Sequence, residues 1–152
     1  MDRLLRYFSF QGRANRQRFW LTAIAIVVIY FVTVLVLAVL SRIPVIGILA
    51  AVLLIGVILG MLVAALANSA RRLHDRAKSA WWLLLFQGVP AVLGVVGALA
   101  SMGGAGAAGG AVSVLGFPIT IWALVELGCL RGTDGPNRFG DDPLKPVQEV
   151  FA

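Results

Sequence analysis

Charge in this chain is confined to short blocks, and the stretches between the blocks are long enough to decide the fold. Phe19 to Ser41 carries no charged residue, nor does Ile43 to Ala70, nor does a run of 47 residues from Ser79 to Val125. A helix that crosses about 30 Å of hydrocarbon needs roughly 20 apolar residues. The first run supplies one such helix. The second, at 28 residues, exceeds one upright span and predicts tilt or interfacial ends. The third suffices for two helices, with the glycine-rich middle from Ser101 to Gly110 as connector, because glycine is the poorest helix former after proline.

These runs predict an all-α, polytopic membrane protein, a four-transmembrane-helix bundle with spans at 19–41, 44–68, 80–100 and 112–130. Barrel strands are excluded because the apolar runs are continuous and do not alternate, whereas helices satisfy their own backbone in lipid. Composition agrees. Hydrophobic residues make up 60% and charged residues 13% of the chain, against about 45–50% and about 25% in soluble domains. One cysteine and one histidine exclude a disulfide framework and a zinc site of Cys and His pairs.

Basic residues give the direction. Arg3, Arg6, Arg13, Arg16 and Arg18 precede helix 1; Arg71, Arg72, Arg76 and Lys78 separate helices 2 and 3; Arg131, Arg138 and Lys145 follow helix 4. Those segments share one side, and only Arg42 falls on the other. The positive-inside rule then puts both termini in the cytoplasm. The chain reads as a single membrane domain, 1–152, of the bacterial inner membrane. It has a basic cytoplasmic segment 1–18, a basic cytoplasmic loop 69–79, a periplasmic Gly/Ala turn 101–111 and a cytoplasmic tail 131–152. Helix 1 is too long for a cleaved secretory peptide and reads as a signal anchor.

Small residues at four-residue spacing mark candidate helix seams: Gly56, Gly60 and Ala64, then Gly94 and Ala98, then Gly116 and Thr120. Pro90 predicts a local irregularity in helix 3, because it frees the carbonyl of Phe86. Glu126, near the end of helix 4, is expected to pair with a basic residue at the interface.

Three polar motifs lie on the predicted cytoplasmic side. In Gly12-Arg13-Ala14-Asn15-Arg16, Gly12 breaks the chain and Asn15 caps helix 1, while Arg16 and Trp20 are one turn apart and suited to a cation-π contact. In Arg71-Arg72-Leu73-His74-Asp75-Arg76-Ala77-Lys78-Ser79, a continued helix pairs Arg71 with Asp75 and sets Arg72 beside Arg76 as an anion clamp. Ser79 then caps helix 3, and Trp81 and Trp82 anchor it. The third motif, Arg131 to Gly140, is rich in turn residues and carries Asn137 and Arg138. Adjacent helical residues point about 100° apart, so His74 and Asp75 do not form a general-base pair, and His74 reads as a hydrogen-bonding residue. Cys129 reads as a small packing residue.

The combination Gly12-Arg13-x-x-Arg16-x-x-Phe19-Trp20, Arg71-Arg72-Leu73-His74-Asp75-Arg76-x-Lys78-Ser79-x-Trp81-Trp82 and Gly132-Thr133-x-Gly135-x-Asn137-Arg138-Phe139-Gly140 resembles the DUF805 family of small bacterial inner-membrane proteins. The resemblance spans nearly the whole chain and implies a four-helix inner-membrane protein of undetermined activity. Ala77 and Ala80 stand where such proteins usually carry glycine, and Phe139 where tyrosine is common.

The functional expectation is a non-enzymatic binding or scaffold protein whose cytoplasmic arginine-rich face contacts anionic lipid or a partner protein. The candidate contact residues are Arg13, Arg16, Arg71, Arg72, His74, Arg76, Lys78, Asn137 and Arg138, with Asp75 and Glu126 as structural pairing groups. No catalytic residue, metal or cofactor is assigned, and nucleic acid is not an expected partner. A small oligomeric transporter or channel is the alternative. An enzyme acting on lipid headgroups ranks third, because Asp75, Asp134, Asp141 and Asp142 fall into no phosphotransferase spacing.

Overall fold

A computed structural model describes residues 7–144. Arg3, Arg6 and Lys145 of the charge asymmetry lie outside that range, as do the ends of the predicted segments 1–18 and 131–152. Among the described residues four helices are long and apolar enough to cross a membrane, and the chain is an all-helical membrane protein. The isolated bridge between Asn137 and Gly140 is the β pairing among those residues.

Helix α1 (Arg16–Leu40) starts where Asn15 accepts a hydrogen bond from the Arg18 amide through its side chain, at 2.8 Å. Helix α2 (Pro44–Asp75) continues well past the predicted end at 68. The expected loop 69–79 is therefore largely helical. Arginine and leucine are good helix formers, and the charges in this turn are met by other parts of the chain, so they do not have to unwind it to reach water.

The third span opens with a π-helical turn, Leu84–Gly88, followed by α3 (Val89–Met102). This is the irregularity that Pro90 predicts: the wide turn lies where the ring removes a donor. The expected turn 101–111 shrinks to residues 103–105, because α4 (Gly106–Val114) already forms within the glycine-rich segment. Close packing overrides poor propensity there. A Cβ built on Gly97 would stand 2.5 Å from the Gly109 carbonyl oxygen, so only glycine lets α3 and α4 approach this closely. The fourth span ends with α5 (Phe117–Leu124) and a second π turn, Val125–Cys129. No proline announces this turn.

The helices form two hairpins. α1 packs on α2, α3 packs on α4, and the second π turn is what touches both α1 and α2. Phe19, Leu73, Phe86, Ala123 and Leu127 make the buried core there, flanked by Trp82 and Ile119. Beyond it the aliphatic side chains face outward, Leu35 at 67% and Ile48 at 73% exposure, as a lipid-facing surface does. The expected seam residues Gly56, Gly60 and Gly94 make no close approach among the described residues, since a Cβ on each would meet nothing within 4 Å, whereas Ala64 of the same stripe is buried. Gly116 does pack closely, with Pro90 Cα at 3.1 Å from its built Cβ.

Candidate functional site

Two helix C-termini meet at the arginine-bearing end, that of α2 and that of the fourth span. Each leaves carbonyls without helical donors and carries the negative end of a helix dipole. Four consecutive carbonyls of the fourth span are met by side chains. The Nε of Arg72 donates to Leu127 O at 2.8 Å, and Trp20 Nε1 donates to Gly128 O at 3.1 Å. Arg16 donates to Cys129 O at 3.1 Å, and Arg72 again, through Nη2, to Leu130 O. Cations are favoured at this helix end, which gives Arg16 and Arg72 a capping role. Trp20 thus meets a carbonyl, and the expected pairing of Arg16 with its ring gives way to two parallel caps.

The carbonyls that close α2 are met by loops. Ala14 N donates to Arg71 O at 3.0 Å, Asn137 Nδ2 to His74 O at 3.0 Å, and Thr133 N to Asp75 O at 2.8 Å. After Asp75 the chain turns back through Ala77, whose φ is 56°. Ala77 N then bonds His74 O at 3.0 Å and Lys78 N bonds Leu73 O at 2.9 Å. This pair of bonds is a Schellman cap, whose left-handed position usually holds glycine.

Asp75 lies at the negative end of α2, an unfavourable place for a carboxylate, and two arginines offset it. Arg13 Nε donates to Oδ1 at 3.1 Å, and Arg72 Nη1 donates to Oδ2. Arg13 also donates to Gly135 O and Thr133 O, each at 2.6 Å. Arg72 is fully buried, Asp75 is 2% exposed and Arg13 is 7% exposed. The predicted partner of Asp75, Arg71, is not the one found: the i+3 neighbour Arg72 and the distant Arg13 take the carboxylate. Gly132 passes directly over this pair, and a Cβ built on it would stand 2.6 Å from Asp75 Cγ.

Glu126 forms the second centre. It accepts from Arg76 Nε at 3.0 Å and pairs with Lys78 Nζ at 2.8 Å, while its own side chain is only 5% exposed. Arg72 and Arg76 therefore point to different acids and do not form the expected anion clamp. Lys78 also lies over the Trp82 ring, 4.8 Å from its centroid. His74 stacks on Phe139 with ring centroids 4.0 Å apart, and its Nδ1 is 3.2 Å from Gly12 O. No group of three His, Cys, Asp or Glu side chains among the described residues could hold a metal ion.

The structure thus sorts the candidate residues. Arg13, Arg71, Arg72, His74 and Asp75 are buried, and Arg76, Lys78 and Asn137 are half-buried. Arg16, Arg18, Arg131 and Arg138 are exposed at the same end. Cys129, expected as packing, is exposed. Gly132, Thr133 and the capping role of Trp20 are additions. The tail motif carries the signal for the first two, since small and hydroxyl residues there suit close backbone approach.

The family described as "Protein of unknown function (DUF805)" matches residues 7–141. The chain is 32% identical over 148 residues to the inner membrane protein YhaH of Escherichia coli (strain K12), covering 94% of each chain. It is 28% identical over 141 residues to the inner membrane protein YhaI of the same organism, covering 92% of this chain and 90% of the relative. The uncharacterized protein YiiR of that organism is 31% identical over 135 residues, with 89% and 86% covered. No solved structure matches the chain.

Proposed function

The chain belongs to the DUF805 family, and on that premise we propose that it is a non-enzymatic inner-membrane scaffold whose exposed arginines bind anionic lipid headgroups. One observation carries the reading, the division of labour among the arginines. Arg13 and Arg72 direct their donors to Asp75 and to carbonyls of the chain, so these two buried cations are matched internally. Arg16, Arg18, Arg131 and Arg138 are exposed at the same end. Arg16 and Arg138 each give one donor to a carbonyl of the chain and Arg131 pairs with Asp134 at the surface, and the exposed remainder of these guanidinium groups suits contact with phosphate. Glu126, the acid within the fourth span, is held by Arg76 and Lys78. That favours a scaffold over a transporter, which would present such a group to its pathway.

By the positive-inside rule the arginine-bearing end is cytoplasmic. A periplasm-dependent phosphatase fused after Ala152 is expected to stay inactive, and an active fusion would reverse the orientation. Each basic residue near an anionic surface contributes about 1 kcal/mol. An Arg16→Ala, Arg131→Ala, Arg138→Ala variant should therefore bind phosphatidylglycerol about 100-fold more weakly, with less salt dependence. Native mass spectrometry after purification measures this, and equal lipid retention by variant and wild type would reject the reading.

A further inference from the structure

A groove of about 770 Å³ runs along the seam between α1 and α2. Small residues open it. Ala25 lines one wall and Gly60 the other, and a Cβ built on Gly60 would meet nothing within 4 Å. The glycine that a packing seam would bury against a neighbouring helix here leaves a trough. Its lining is aliphatic over most of its length, and at one end Gln17 and Arg18 stand with Asn15 and the aromatic rings of Tyr7 and Phe8.

Length and charge identify an occupant. From Arg18 to Ile29, both of which line the groove, α1 rises about 16 Å at about 1.5 Å per residue. That is close to one leaflet of a hydrocarbon core about 30 Å thick. Arg18 is exposed, no acceptor among the described residues meets its guanidinium, and the first turn of α1 contains no acid. We propose that the groove seats one acyl chain of an anionic glycerophospholipid with its phosphate on Arg18. The proposal rests on the reading that the arginine-bearing end meets anionic lipid, and it adds a chain-binding site distinct from Arg16, Arg131 and Arg138. A second copy of this chain fits less well, because a partner of net charge +6 would bring further cations to the cationic mouth.

The test uses full-length protein, stripped of lipid in detergent and then offered phosphatidylglycerol or phosphatidylcholine, with bound lipid counted by native mass spectrometry. Gly60→Leu and Ala25→Leu fill the groove from opposite walls without touching an arginine, and Arg18→Gln removes the charge. Each is expected to lower one-to-one phosphatidylglycerol retention about tenfold, the scale of about ten lost carbon–carbon contacts or one lost ion pair. Thermal unfolding identifies which filling variant remains folded, and that variant carries the test. Wild-type retention by a folded filling variant overturns the proposal, as does equal retention of phosphatidylcholine by the wild type. So does a disulfide between copies through Gly60→Cys that displaces the lipid. Loss of lipid in the Arg16, Arg131, Arg138 variant with full retention in the groove variants would sink the groove and leave the scaffold reading intact. The converse pattern would do the reverse.

Discussion

Ala77→Gly should stabilise this protein, although it deletes a side chain. Ala77 occupies the left-handed position of the cap that closes α2, at φ 56°, where an L-residue with a Cβ costs about 1–2 kcal/mol. The residue is exposed, so its methyl group contributes little packing. Glycine removes the steric cost but loses about 0.5–1 kcal/mol through the greater freedom of the unfolded chain. The net gain is about 0.5–1 kcal/mol, which for a chain of this size raises the melting temperature by about 1–4 °C. Ala77→Val, β-branched at the same φ, should move the melting point the other way. Thermal unfolding in detergent, followed by tryptophan fluorescence, reads both variants, and unfolding rates replace melting temperatures if aggregation makes the transition irreversible. A lower melting point for glycine than for alanine, with valine unchanged, would mean that the chain does not turn left-handed after Asp75, and the capping argument would fall with it.

Asp75→Asn leaves Arg13 and Arg72 facing each other without a carboxylate and should cost about 3–5 kcal/mol, whereas Asp141→Asn in the exposed tail should stay within about 0.5 kcal/mol; equal melting temperatures for the two would refute a buried pairing centre. Gly132→Ala forces a methyl group against the Asp75 carboxylate and should cost about 1–3 kcal/mol, measured in the same assay, with an unchanged melting point counting against the close approach of the tail.

Where helices could form was legible because it depends on composition over long windows, and the runs without charge bound the spans to within a few residues at most ends. The end of α2 was not legible on that basis. Arg71 and Arg72 look like the start of a loop until one knows that Asp75, Leu127 O and Leu130 O receive Arg72. Local spacing likewise points Asp75 toward Arg71, whereas the carboxylate takes Arg72 and a residue 62 positions away, Arg13. Arg72 is an i,i+3 neighbour that helical spacing also allows, but the pairing with Arg13 depends on tertiary placement that no helical period encodes. Pro90 flagged one π turn through the donor it removes. The other, around Glu126, lacks any such residue and coincides with Gly128, where the Trp20 ring lies against the backbone, 3.2 Å from a built Cβ to its Cε2. Gly60 shows the opposite failure: the same spacing that signals helix contact also makes an opening when no helix covers it.

The latch at the arginine-bearing end joins the first and last parts of the chain, since Arg13 donates to Thr133 O and Gly135 O while binding Asp75. During synthesis the α1–α2 hairpin can enter the bilayer long before residues 133–135 have left the ribosome. For that interval Asp75 has its arginines, but Arg13 lacks its two carbonyls and the last turn of α2 lacks Thr133. Biogenesis therefore ends in a closing step that only a full-length chain can take, and a nascent chain stalled within the fourth span carries an open, polar end.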